Sequence, residues 1–198
     1  MTPSTSKTTD LLLAVLSDLA RVIDGIAPAQ LPSRTPCTQW DVEQLRAHVL
    51  GWLTTFAAGF ADPGGRAPAA DIDGYRPPPD PAGAVTQAAA LMARALGEGA
   101  ALRPLWLGEN AMPGELALGM ILWEYVVHGW DLARATGQLW APPEAASQES
   151  LAFAPAMLTP DFQGDGRAFG PPVAVPSDAP PLERLLGLSG RDPGWSAG

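Results

Sequence analysis

Three polar residues in one apolar stretch of the chain have the types and spacing that chemistry requires. The stretch WEYVVHGWDLARATG, residues 123–137, places Glu124 and His128 four positions apart and Asp131 three positions after the histidine. On a helix this spacing puts the three side chains along one stripe. A carboxylate among apolar neighbours is unfavourable without a partner. A divalent metal ion such as Zn²⁺, bound by carboxylate and imidazole, would be such a partner.

Two ligands from one helix are insufficient, so a third must come from elsewhere. The only other histidine, His48, lies in DVEQLRAHVLGW beside the apolar positions Leu45 and Trp52. If the two segments are neighbouring helices, His48 would meet Glu124 and His128 in the core, which is how metal sites in helical bundles are commonly built. Two histidines and one glutamate would leave a coordination position open for water or a substrate.

Simpler interpretations stay open on the residues alone. Each histidine could be a core side chain with a satisfied hydrogen bond, and Glu124 and His128 could form an i,i+4 hydrogen bond and no more. The E-x-x-x-H spacing also differs from the H-E-x-x-H helix of zinc proteases. For Asp131 we expect contact with an imidazole, or with an arginine such as Arg46 or Arg134, that orients the site. A plain structural ion pair is the alternative.

Aromatic residues and one thiol accompany these candidates. Trp40, Trp52, Trp123 and Trp130 surround the two histidine-bearing segments and are expected to pack the core, with Trp52 as the candidate to wall a substrate pocket. Cys37 could be a zinc ligand or a redox thiol, but its position just before a predicted helix favours a packing role. As the sole cysteine it excludes an intramolecular disulfide and indicates a reducing cytoplasm.

Helical periodicity without a convincing strand predicts an all-α four-helix bundle that would position these residues. The predicted helices cover residues 9–26, 38–60, 82–97 and 113–136, the second with Thr38 as its N-cap and the last ending at Gly137. The segment 61–83 is rich in proline and glycine and is predicted to be a long surface loop.

A shorter helix is predicted over residues 144–157, and a last helical piece at LERLLGLSG. Residues 161–198 are predicted to form an extended tail that packs on the metal-binding bundle of residues 1–160 as part of the same domain. Its apolar anchors would be Phe162, Phe169, Val173, Val175, Leu185 and Leu186.

Composition narrows the classes of partner. The chain of 198 residues is 46% hydrophobic and 17% charged, which suits a compact globular protein. Its formal net charge of −9 weighs against nucleic acid and anionic membrane surfaces as partners, because both require basic patches. No apolar run approaches the length of a membrane span.

The segments TPCTQWDVEQLRAHVLGWL, WEYVVHGWDLARATGQ and FGPPVAVPSDAPPLERLLGLSGRDP together resemble an actinobacterial family of metal-binding proteins. This family is related to the N-terminal domain of mycothiol-dependent maleylpyruvate isomerase and, more distantly, to the DinB-like four-helix bundles. The resemblance implies a bundle that binds a divalent metal, usually Zn²⁺, through His48, Glu124 and His128.

For the isomerase branch, the resemblance implies that the open metal position receives the thiolate of mycothiol. The chain lacks room for the second domain that contributes to the isomerase active site, so maleylpyruvate itself is not the expected substrate. The expected function is a mycothiol-dependent transferase or isomerase, with a small-molecule thiol and a small electrophile as partners. A homodimer is a further expectation.

Two other functions stay open. A hydrolase would use metal-bound water and a nearby carboxylate such as Asp131 as the base, which requires that no arginine occupies that carboxylate. A non-catalytic metal-binding or sensing module could have a closed site, whereas a thiol-using enzyme needs a cleft beside the metal.

Overall fold

Six α-helices and one β-hairpin are the main elements of the described part of the chain. The computed structural model describes residues 3–72, 74–165, 167 and 169–197. The elements are α1 (Pro3–Asp24), α2 (Val42–Ala61), α3 (Pro81–Gly97), β1 (Leu105–Leu107), β2 (Asn110–Met112), α4 (Gly114–Ala135), α5 (Glu144–Phe153) and α6 (Pro181–Leu188). The first helix begins six residues earlier than its apolar pattern predicts.

The first four helices form the bundle. Helix α1 packs against α3 and α4, and α2 packs against the same two helices, so α1 and α2 lie on a diagonal. Apolar positions at helical spacing fill the interior, among them Leu12, Leu16, Leu19, Leu53 and Phe60. This arrangement brings α2, which carries His48, against α4, which carries the other two polar candidates.

The N-terminus of α2 is set by a different residue from the one predicted. Asp41, not Thr38, is the N-cap: its carboxylate accepts a hydrogen bond from the backbone N–H of Gln44 at 2.8 Å. The Gln44 side chain accepts one in return from the N–H of Asp41 at 3.1 Å. This reciprocal capping box satisfies two backbone donors that a helix start leaves free. It places His48 in the second turn of α2.

A purely α-helical fold is not confirmed, because β1 and β2 pair as an antiparallel hairpin. Leu107 pairs with Asn110 across a two-residue loop whose first residue, Gly108, has a φ of +61°. Glycine tolerates that angle and is favoured at this position of tight hairpins. The segment that follows α2 hydrogen-bonds to the other edge of β1: the Trp106 N–H donates to the Gly65 carbonyl at 2.8 Å.

The C-terminal segment returns to the bundle through α6, which packs on α5. The Phe169 ring lies 4.7 Å from the Trp123 ring, and the Trp123 indole N–H donates to Ser189 Oγ at 3.1 Å. The expectation that Phe162 anchors this segment is wrong, because 52% of its surface is exposed. The deeper anchors are Leu185 and Leu186, from the apolar face of α6. None of the described helices combines the length and apolarity needed to cross a bilayer.

Candidate metal centre

The structure brings the three predicted ligand residues together. His48 from α2 and Glu124 and His128 from α4 each offer one ligand atom, and these atoms lie within 4.8 Å of one another. His128 Nε2 lies 3.1 Å from Glu124 Oε2. The His48 and His128 rings meet edge to face with centroids 5.5 Å apart. One imidazole from each of two facing helices and a carboxylate between them can hold a divalent cation.

The hydrogen bonds of His128 show that this donor set suits a cation. His128 Nδ1 lies 3.1 Å from Asp131 Oδ2, and the ionised carboxylate only accepts, so Nδ1 carries a hydrogen. In a neutral ring the Nε2 lone pair then faces Glu124 Oε2, and a cation or a second proton must lie between them. Burial alone would lower the pKa of His128, but the hydrogen bonds to Asp131 and Glu124 raise it. These residues therefore fit a metal ion that takes the place of that proton.

His48 could complete the set as a neutral ligand. Burial, together with repulsion from His128, lowers the pKa of His48 to about 4. At pH 7 the ring is thus uncharged and has a lone pair for a metal. The Trp40 ring stacks on it, with centroids 4.1 Å apart and planes 32° from parallel. The Thr35 hydroxyl lies 2.7 Å from the Trp40 carbonyl oxygen and holds this tryptophan's backbone in place.

Glu124, like His48, is only partly buried, whereas His128 is buried. The Glu124 side chain is 24% exposed, whereas that of His128 is 6% exposed. Burial tends to raise the pKa of Glu124, but the hydrogen bond from His128 and its charge lower the pKa below the ordinary value. Glu124 is therefore ionised at neutral pH and supplies the negative charge that favours a cation over a neutral occupant.

Behind His128, Asp131 is fully buried and paired with Arg191. Arg191 Nη2 lies 3.1 Å from Asp131 Oδ2, and Nη1 donates to the Ser189 carbonyl at 2.7 Å. Burial would raise the pKa of Asp131, but the charge of Arg191 and the hydrogen bond from His128 lower it. The arginine partner is thus Arg191, not the predicted Arg46 or Arg134. Arg134 instead donates to the Trp195 carbonyl at 2.6 Å.

An apolar cavity of about 240 Å³ opens on the cluster. Trp52, the predicted wall of a substrate pocket, does line it, beside Phe56 on the next turn of α2. The hairpin and α4 contribute Leu107 and Met120, which the sequence did not indicate. The only signal for Leu107 is the short hairpin loop with Gly108. Met120 lies on the predicted helix one turn before Glu124.

A second, polar cavity of about 480 Å³ shares His48 with the first. Its remaining lining residues are Trp40, Asp41, Glu43, Gln44, Ala47, Ile72, Tyr75, Arg76 and Pro77. The predicted surface loop forms one wall, because it folds back onto α2 at Gly51. A Cβ atom there would lie only 3.1 Å from Tyr75 Cγ and 3.2 Å from the Ile72 side chain, so glycine permits this close approach.

Cys37 lies outside the ligand cluster. It is 5% exposed, and burial raises the pKa of its thiol above the ordinary value. A buried, protonated thiol is a poor ligand and a poor nucleophile. Its surroundings agree with the packing role that its position before α2 suggested.

Comparison with known proteins relates most of the chain to one family. The family model described as the mycothiol maleylpyruvate isomerase N-terminal domain matches residues 12–133. Two proteins of Mycobacterium tuberculosis are also similar, the uncharacterized protein Rv0738 (strain ATCC 25618 / H37Rv) and the uncharacterized protein MT0763 (strain CDC 1551 / Oshkosh). Each is 33% identical over 178 residues, which cover 87% of this chain and 91% of the relative.

Among solved structures, YfiT from Bacillus subtilis is similar in fold, with a TM-score of 0.53 and 17% sequence identity. The similarity covers 70% of this chain and 91% of that one. YfiT is described as a probable metal-dependent hydrolase with an unusual four-helix bundle topology. At this level of identity the likeness supports the four-helix bundle and nothing further.

Proposed function

The chain belongs to the family of the mycothiol maleylpyruvate isomerase N-terminal domain, and on this premise we propose that it is a metal-dependent enzyme that activates a small-molecule thiol. His48, Glu124 and His128 would hold the divalent metal ion, with Zn²⁺ as the first choice for a His₂Glu donor set. The observation that carries the proposal is the position of this cluster, whose ligand atoms lie within 4.8 Å of one another beside two cavities.

A divalent cation bound there would lower the pKa of a thiol beside it and favour the nucleophilic thiolate. The protein's own residues prepare the site for this. Asp131 and Arg191 keep the His128 hydrogen on Nδ1, so that Nε2 faces the site. His48 stays neutral because its pKa is about 4, and Trp40 limits its rotation.

The polar cavity suits the thiol. Mycothiol is rich in hydroxyl groups, and Asp41, Gln44 and Arg76 line a space of about 480 Å³ that reaches His48. In a transfer, the thiolate sulfur bonds to an electrophilic carbon and the displaced group leaves with the electron pair. In an isomerisation, the sulfur adds to the carbon and later leaves with the same pair.

The hydrolase alternative finds less support. A water-using enzyme of the kind considered above needs a free carboxylate as base, and Asp131 is fully buried and paired with both Arg191 and His128. A non-catalytic sensing module is also less favoured, because the cluster lies beside cavities instead of in a closed core. A role in the reducing cytoplasm, where a low-molecular-weight thiol would be present, fits the proposal.

The proposal is tested by replacing the metal with Co²⁺ and adding mycothiol. A saturable charge-transfer absorption band from thiolate to cobalt is expected. S-methylated mycothiol, which has no free thiol, should leave the spectrum unchanged. If saturating mycothiol produces no band, the thiol proposal is wrong. Hydrolysis of simple esters by the same protein would then favour the hydrolase, and lack of hydrolysis the non-catalytic module.

A further inference from the structure

The apolar cavity beside the cluster takes its imidazole and carboxylate groups from the cluster alone. These groups belong to His48, Glu124 and His128. The other lining residues are Val49, Trp52, Phe56, Leu107, Met120 and Tyr125. A molecule that enters this cavity must therefore place its polar, reacting end on the cluster and its remaining atoms against hydrocarbon and aromatic rings.

The walls offer few polar contacts to a bound molecule. The Trp52 and Phe56 rings stack on each other, with centroids 5.3 Å apart and planes 20° from parallel, and form a flat aromatic wall. The Tyr125 hydroxyl is already used, since it donates to the Val49 carbonyl at 3.2 Å. Among the described residues that line this cavity there is no lysine or arginine. A carboxylate held away from the cluster would have no partner there.

We propose that the second substrate of this site, the molecule that meets the activated thiol, has an uncharged apolar body. This inference rests on the proposed function and adds the class of substrate. A cavity of about 150 Å³ holds benzene, so about 240 Å³ accommodates a single aromatic ring with a short substituent, or an alkyl chain of similar bulk. A substrate with two carboxylates is disfavoured, because only one of them can reach the cluster.

The test uses two neutral-headed probes that differ at the far end. The probes are 3-phenylpropanamide and the same molecule with a carboxylate at the para position of the ring. Binding of each to the purified full chain is measured by isothermal titration calorimetry, with and without Zn²⁺. The uncharged probe is expected to bind roughly tenfold or more tightly than its carboxylated counterpart. Equal binding, or tighter binding of the carboxylated probe, would overturn the inference.

Two variants of α4 test whether the probes bind in the apolar cavity. Met120→Lys places a cation in the cavity wall at a half-buried position of α4 and should reverse the preference toward the carboxylated probe. Leu116→Lys, at a residue of the same helix that is 39% exposed and outside the cavity, should leave it unchanged. Circular dichroism checks that both variants fold. An unchanged preference in a folded Met120→Lys variant would contradict the assignment of the probes to this cavity.

The probe experiment and the mycothiol experiment can fail independently of each other. If the uncharged probe is preferred but no thiolate-to-cobalt band forms with mycothiol, the apolar class of ligand is supported and the thiol chemistry is rejected. If the band forms but the two probes bind equally, the thiol chemistry is supported and the apolar substrate class is rejected.

Discussion

Arg191 and Asp131 form a buried ion pair across 60 positions of sequence, with Nη2 of the arginine 3.1 Å from Oδ2 of the aspartate. Their exposed fractions are 4% and 0%. The same carboxylate oxygen accepts a hydrogen bond from His128 Nδ1 at 3.1 Å. The C-terminal segment therefore places Arg191 one side chain away from the ligand cluster, and it supports His128 through Asp131.

Replacement of Arg191 should destabilise the protein strongly. Arg191→Met leaves Asp131 as a buried charge without its cationic partner, and we expect a loss of about 3–5 kcal/mol in the free energy of unfolding, measured with urea. Arg184→Met, the same change at an exposed position of α6, should stay within about 0.5 kcal/mol of the wild type. Equal stability of the two variants would show that the buried pair is unimportant.

Asp131→Asn distinguishes a positioning role from a plain structural ion pair. The amide keeps the shape but removes the charge that holds the hydrogen on His128 Nδ1. We expect Zn²⁺ affinity, measured by competition with a chelator, to fall about 10–100-fold. Asp178→Asn, at an exposed position, is the control and should bind as the wild type does. An unchanged affinity in folded Asp131→Asn would leave only the structural ion pair.

The Cys37 thiol should be unreactive in the native protein. Burial raises its pKa, so at pH 8 it contains less thiolate than an ordinary cysteine, and its reaction should accelerate only at higher pH. Labelling with a disulfide reagent is expected to be slow in buffer and fast in the urea-unfolded chain. Cys37→Ala should retain the full metal content. Rapid native labelling, or loss of metal in the variant, would contradict the packing role.

Two glycine substitutions should have opposite effects on stability. In helix interiors alanine is normally favoured over glycine, but a methyl group at Gly129 would overlap the indole ring of the buried Trp140. We expect Gly129→Ala to lose roughly 1–3 kcal/mol. At Gly97, the last residue of α3, an added Cβ would have no atom within 4 Å apart from the local backbone, and Gly97→Ala should gain about 0.4–1 kcal/mol. Thermal unfolding measures both variants, and a Gly129→Ala variant as stable as the wild type would refute this packing of Trp140.

The helices and the ligand cluster were accessible from the sequence for physical reasons. Helical periodicity extends over many residues in each of α1, α2 and α4, so the helices can be recognised even where single positions depart from the pattern. With only two histidines in the chain, the choice of imidazole ligands was small. The resemblance to the isomerase family is confirmed by the match over residues 12–133, and the assignment of the three residues as metal ligands stays a prediction.

The features that were missed depend on local detail or on long-range contact. The strands β1 and β2 have three residues each, too few to show alternation. Asp41 is the N-cap of α2 in place of Thr38 because Gln44 completes a capping box with it. Arg191 carries no local signal at all, since its partner lies on another element and only the folded tail brings them together.

Metal analysis of purified protein tests the central claim most directly. The wild type and the control Glu183→Ala, at an exposed position of α6, should each retain roughly one metal ion per chain after dialysis. His48→Ala and Glu124→Ala each remove one ligand and should retain far less, with circular dichroism to show that they remain folded. Wild-type metal content in both ligand variants would contradict the assignment of His48, Glu124 and His128 as the metal site.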